Sequence, residues 1–158
     1  MTYILKAIGA SVMLAYSPNA GLAGDIQTIN PPSLYDPAPN GYSHAMRSGA
    51  LLFIAGQGGE DQDGNLVPGF EGQVAQAYQN LTSALEAGGA RPERVVKLTT
   101  YVVEHDQAKL AVLTRQLRAV FGAHLPTQTL VPVPRLALDG MLFEVDAIAV
   151  LAPGAARP

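Results

Sequence analysis

Apolar and polar positions alternate along this chain in two distinct rhythms. "YSHAMRSGALLFIAG", from residue 42, reads as a hairpin: a short strand, a turn at Ser48-Gly49, then an apolar strand over 51–55. Over 70–87 the period lengthens. Val74, Ala77, Tyr78, Leu81 and Leu85 recur at three- and four-residue spacing, the apolar stripe of a helix that Gly88-Gly89 ends. Residues 95–104 return to period two and are rich in β-branched side chains. Val96, Leu98, Thr100 and Val102 are expected to face the core, and Lys97, Thr99 and Tyr101 a more polar surface. Asp106 can cap a second helix over 107–121, with Leu110, Leu113 and Leu117 on one stripe. A last strand lies within 141–152, with Phe143, Val145, Ala147 and Ala149 on one face and Glu144 and Asp146 on the other.

The connecting segments have different compositions. Residues 24–41 are a proline-rich arm without periodicity, expected to lie extended on the domain that follows at 42–152. "GQGGEDQDGNLVPG" is a glycine- and acid-rich loop. "LPTQTLVPVPRL", from residue 125, is strand-forming but punctuated by Pro126, Pro132 and Pro134, which suits a strand with little regular pairing. The tail, 153–158, carries no pattern and reads as flexible.

Hairpin, helix, strand, helix, strand, strand predicts an α+β fold. It is a two-layer domain, a mixed β-sheet with two helices on one face and right-handed crossovers. The other sheet face would carry Thr99, Tyr101, Glu144 and Asp146 among apolar residues. Such a face is unsuited to water, so it is expected to be buried against copies of the same chain in a closed oligomer. Ligand pockets would then lie between subunits, lined by the two carboxylates.

Composition narrows the function classes. The 158 residues are 48% hydrophobic and 15% charged, enough for one well-filled domain, and the net charge is −3. Without a Lys/Arg run or aromatic stripe, there is no footprint for nucleic acid. With no cysteine there is no disulfide framework, thiol nucleophile or Cys-type metal site. At the N-terminus, Lys6, an apolar run over 7–16 and "AGLA" over 20–23 follow the plan of a secretory signal peptide spanning 1–23. On that reading the protein is exported or periplasmic; with an ordinary start it is cytoplasmic. The run is too short to span a membrane.

Among individual residues, Glu144 is the strongest chemical candidate. A half-buried carboxylate is costly unless it is functional or paired, here with Arg135 or Arg47. Asp146 reads first as an interface or edge contact. His44, His105 and His124 have no metal-ligand spacing and read as surface or satisfied side chains, with His44 alone placed to act as an acid or base. "GQGG" lacks the continuation of a phosphate loop, and its glycines are expected to allow a close turn or ligand approach. Periodicity and spacing thus end at an α+β oligomer with an acidic interface pocket.

Five stretches in order, "GYSHA", "LLFIAGQ", "VVKLTTYV", "LPTQTLVPVPRLA" and "FEVDAIAV", resemble the RidA/YjgF family over residues 30–150. The resemblance implies a chorismate-mutase-like fold, a homotrimer and ligand sites in the intersubunit clefts. It implies cofactor-free, metal-free hydrolysis of amino-acid-derived enamines and imines to a 2-keto acid and ammonia. Carried over by motif, Glu144 is the glutamate that positions the attacking water, and Tyr42 is a tyrosine of the pocket wall. Gly56 belongs to a Ser-Gly-Gln-like turn in which Ala55 replaces serine. Leu130 stands where the family often has a site-lining cysteine, and Arg135 matches a structural arginine. The main departure is Gln128, at the seat of the arginine that holds the substrate carboxylate. An amide can hydrogen-bond a carboxylate but cannot neutralise it. The expectation is therefore a divergent member that hydrolyses or tautomerises a small imine, enamine or related metabolite, with little activity on 2-aminoacrylate. The alternative is a non-catalytic trimer that binds a small molecule or protein. Ribonuclease action, also attached to the family, fits the acidic charge balance poorly.

Overall fold

The computed structural model describes residues 26–152. The signal-like segment 1–23 and the tail 153–158 lie outside the described residues. Eight regular elements follow in order: β1 (Ile26–Ile29), β2 (Ala45–Ser48), β3 (Leu51–Gly58), α1 (Phe70–Ala87), β4 (Val95–Val103), α2 (Gln107–Phe121), β5 (Thr127–Val133) and β6 (Phe143–Val150). The strands form one mixed sheet in the order β1-β2-β3-β6-β4-β5, with only β4 and β5 parallel neighbours.

The helices pack on one face of this sheet, as the periodicity predicts. From α1, Val74, Ala77, Tyr78, Leu81 and Leu85 are all buried. They meet Leu52 and Ile54 of β3, Leu98 and Val102 of β4, and Phe143 and Val145 of β6 in one core. Tyr78 stacks at 5.8 Å from Phe143 and edge-on at 6.2 Å from Phe121 of α2, joining both helices to the sheet. Each such large side chain contributes about 1.5–3 kcal/mol by leaving water. The end of α1 is a Schellman motif: Ala90 N–H donates to Leu85 O and Gly89 N–H to Glu86 O, with Gly89 at φ 79°. Asp106 caps α2 by accepting from Lys109 N–H at 2.7 Å. Of the expected α2 stripe, Leu113 is buried and Leu117 partly buried, but Leu110 is exposed.

Three expectations need correction. Leu98, Thr100 and Val102 face the core, but Val96 does not. The β4–β6 register shifts between Val95 and Lys97, and the bulge buries Val95 and turns Val96 to solvent. The segment around Pro132 is not weakly paired: β5 runs in register with β4 across all seven residues. It tolerates proline because it is the sheet's edge. The arm is not wholly irregular either, since Ile26–Ile29 adds a strand beside β2.

Candidate active site

The site grows from a bulge. Between Ile54 and Gln57 the β3–β6 register slips, with Ile54 opposite Ala147 and Gln57 opposite Val145. The extra residue leaves Gly56 facing Glu144 of β6. A Cβ on Gly56 would overlap the Glu144 carboxylate, so only glycine lets the carboxylate lie against the strand. Two further glycines of the same run make room in the same way. A Cβ on Gly58 would strike Glu60 and Met141, and one on Gly59 would strike Gln73 of α1. The glycine-rich loop thus admits two carboxylates and a helix rather than a phosphate.

Buried amides on α1 hold the surrounding loops. Asn80 Nδ2 donates to Gly58 O at 3.1 Å and Glu60 O at 2.8 Å. Gln73 Nε2 donates to Gly140 O at 2.9 Å, and its Oε1 accepts from Leu142 N–H at 2.7 Å, fixing the entry to β6. On the opposite side the proline-rich arm is pinned by His44. Its Nε2 lies 2.8 Å from Tyr35 O, which can only accept, so Nε2 carries the hydrogen; Nδ1 then accepts from Gln57 Nε2 at 3.4 Å. His44 is 1% exposed, a buried post with both ring nitrogens hydrogen-bonded. It also meets the rings of Tyr35 and Tyr42 edge-on.

These supports shape a cleft of about 470 Å³ lined by Tyr35, Asn40, Tyr42, Glu60, Ala137 and Leu138. The hydroxyls of Tyr35 and Tyr42 share a hydrogen bond. Burial raises the proton affinity of both above that of an ordinary phenol, and the charges of Glu60 and Glu144 add to the rise. Burial likewise pushes the Glu60 carboxyl upward; its own backbone N–H opposes this and Glu144 reinforces it. Glu144 is raised by burial first and then by Asp146, which itself accepts from Tyr101 Oη at 3.2 Å. Arg135, one of the partners considered for Glu144, instead faces Asp139 at 3.8 Å.

Of the residues singled out in the sequence, Tyr42 lines this cleft, while Gly56 and Glu144 touch each other beyond its wall, with the Glu144 charge felt at the Tyr42 hydroxyl. Gln128 and Leu130 lie apart from them. They pair with Leu98 and Thr100, whose side chains face the helices, whereas Glu144 pairs with Tyr101 on the other face. Gln128 Nε2 donates to Thr100 Oγ1 at 3.1 Å, and Leu130 packs against the core. Sequence reasoning missed Tyr35 and Glu60. Both sit in aperiodic, turn-rich stretches, and the one signal was an aromatic or acidic side chain standing among prolines and glycines.

A two-layer α+β domain with one bare sheet face and an acidic cleft at the end of a bulged strand defines a class, and the comparisons place the chain within it. The sequence profile described as endoribonuclease L-PSP matches residues 35–151. RutC family protein YjgH of Escherichia coli K12 is 35% identical over 117 residues, covering 74% of this chain and 86% of its own length. The 2-iminobutanoate/2-iminopropanoate deaminase of Mus musculus is 32% identical over 130 residues, covering 81% and 91%. The crystal structure of RidA from the Antarctic bacterium Psychrobacter sp. PAMC 21119 matches with a TM-score of 0.73 at 29% identity, over 79% of this chain and 99% of that one. The chain belongs to the endoribonuclease L-PSP family, the RidA/YjgF family of the sequence resemblance.

Proposed function

We propose that this protein hydrolyses or tautomerises a small imine or enamine in clefts between the subunits of a homotrimer, with Glu144 as the proton-transferring group. The observation that carries this is Glu144 itself: a half-buried carboxylate of raised proton affinity, seated on Gly56. In hydrolysis, Glu144 accepts a proton from water as the water oxygen adds to the C=N carbon. The π electrons pass to nitrogen, which takes that proton from Glu144; the carbinolamine then collapses as its hydroxyl proton is relayed through Glu144 to the departing nitrogen, giving a carbonyl product and ammonia. The mouse relative's name, an imine deaminase, supports the reaction class. Gln128 and Glu144 lie on opposite faces of one chain's sheet, so a cleft using both needs two copies, which favours the intersubunit arrangement.

The substrate differs from that of an archetypal member because Gln128 cannot neutralise a carboxylate. The loss of a charge-assisted pair costs roughly 2–5 kcal/mol of binding. The test is ammonia and carbonyl release from a panel of enzymatically generated imines, with Glu144→Ala as the control. Turnover on at least one imine is expected, with little on 2-aminoacrylate. No turnover above the control on any of them would overturn the proposal. The neutral Gln128, already bonded to Thr100, favours one second reading, a trimer that binds a metabolite or protein without changing it. Mass spectrometry that finds bound ligand unconverted would support it.

A further inference from the structure

We propose that the cleft selects ligands that carry a protonated nitrogen and no carboxylate, with Glu60 as the group that receives the nitrogen. This rests on reading the cleft as the substrate site and names the substrate class that site would take.

Glu60 is one wall of the cleft, yet only 5% of its surface is exposed. Its Oε2 has no hydrogen-bond partner among the described residues. A buried carboxylate oxygen without a donor is strongly unfavourable, and folded chains rarely keep one unless a partner arrives from elsewhere. The position is also constructed. Asn80 grips the Glu60 carbonyl from α1, Glu60 bridges to Leu66 across the loop, and Gly58 gives up its side chain to make room for the carboxylate.

The described residues around the cleft set the sign of the ligand. Tyr35, Tyr42 and Asn40 offer hydroxyl and amide groups, Ala137 and Leu138 offer apolar surface, and none of these is a cation. From beyond the cleft wall Glu60 also feels a second carboxylate, Glu144, whose charge adds to the effect of burial. An anionic ligand would be repelled by both, whereas an ammonium or iminium N–H would supply the missing donor and offset the charge. The neutral Gln128 agrees with this selection: a substrate without a carboxylate has no use for an arginine clamp. The chemistry agrees as well. Water attacks an imine most readily in its protonated form, so the carboxylate that binds the nitrogen also favours the reactive species.

Three probes of similar size and different charge test this: benzylamine, benzyl alcohol and benzoate, titrated calorimetrically into the full-length oligomer at pH 7. Benzylamine is expected to bind about tenfold more tightly than benzyl alcohol, with benzoate weakest. Glu60→Gln should erase the preference for the amine while changing benzyl alcohol binding by less than about twofold. Glu60→Asp, which keeps the charge, should restore part of it. Benzoate binding as tightly as benzylamine, or an amine preference that survives in Glu60→Gln, would overturn the proposal. The outcome is separable from the catalytic reading. An amine preference without turnover of any imine leaves the Glu60 assignment standing and removes the hydrolase. Turnover without an amine preference does the reverse.

Discussion

At the scale of single residues, contacts with glycine decide the chemistry. The Glu144 carboxylate lies where a side chain on Gly56 would be, so Gly56→Ala should displace it. The atoms that must move are the end of a flexible side chain, so the fold gives way cheaply while the carboxylate leaves its seat. The expected result is a nearly unchanged melting transition together with a loss of at least about tenfold in kcat; unchanged kcat would mean that the carboxylate's seat is immaterial. Protonation offers a second check. Burial raises both Glu60 and Glu144 above the ordinary carboxylate value of 4.5, so the folded chain holds these protons more tightly than the unfolded chain does. Their contribution to stability is therefore present at low pH and is lost as pH rises through the raised values. Melting temperatures of wild type and Glu60→Gln should diverge as pH increases from 5 to 8, with the variant falling less. Parallel curves would contradict this. Part of the candidate site is legible at this scale. Gly56 and Glu144 stand out in the sequence and touch in the fold, and Tyr42 lines the cleft. Tyr35 and Glu60 were not legible, because contacts from distant elements place them: His44 holds Tyr35 and Asn80 holds Glu60.

At the scale of elements, α1 is both a core helix and a scaffold for the site. Its apolar stripe binds the sheet, while Gln73 and Asn80 reach from the same helix to the loops after β3 and before β6. Asn80→Ala should cost about 1–3 kcal/mol, because two buried carbonyls lose their donor. It should also weaken ligand binding in the cleft even at temperatures where the fold is intact. A thermal melt alongside calorimetric titration checks both, and a variant as stable as wild type would contradict the role given to Asn80. Elements with long periodic patterns were readable in advance, namely α1, α2, β4 and β6. The failures have local causes. A bulge reverses Val96, which no alternation rule can anticipate. β1 is four residues beside a proline-rich stretch and pairs only with β2, so its strand character depends on a neighbour. The prolines of β5 mark an edge, and an edge strand still pairs fully along its one neighbour, so they do not imply little regular pairing.

At the scale of the whole molecule, the bare face of the sheet is the dominant feature. Leu51, Phe53, Met46 and Val150 are each 37–42% exposed on the chain considered alone, and Met46 pairs with Phe53 and Leu51 with Val150 across the strands. A contiguous apolar surface of this kind suits burial against other copies. The proposed homotrimer predicts that Phe53→Lys lowers the mass measured by light scattering from three chains toward one. It also predicts that turnover falls with the trimer, since Gln128 and Glu144 lie on opposite faces of one chain's sheet and the proposed cleft uses both. A variant that stays trimeric, or a fully active monomer, would contradict this arrangement.

The proposed function stands on proton transfer by Glu144. The most direct test is the pH profile of kcat/KM on the best imine of the panel, corrected for the buffer reaction and compared between wild type, Glu144→Gln and Glu60→Gln. The prediction is an ascending limb centred above the ordinary carboxylate value of 4.5 that persists in Glu60→Gln and vanishes with most of the rate in Glu144→Gln. A Glu144→Gln enzyme that keeps both the limb and the rate would contradict the account.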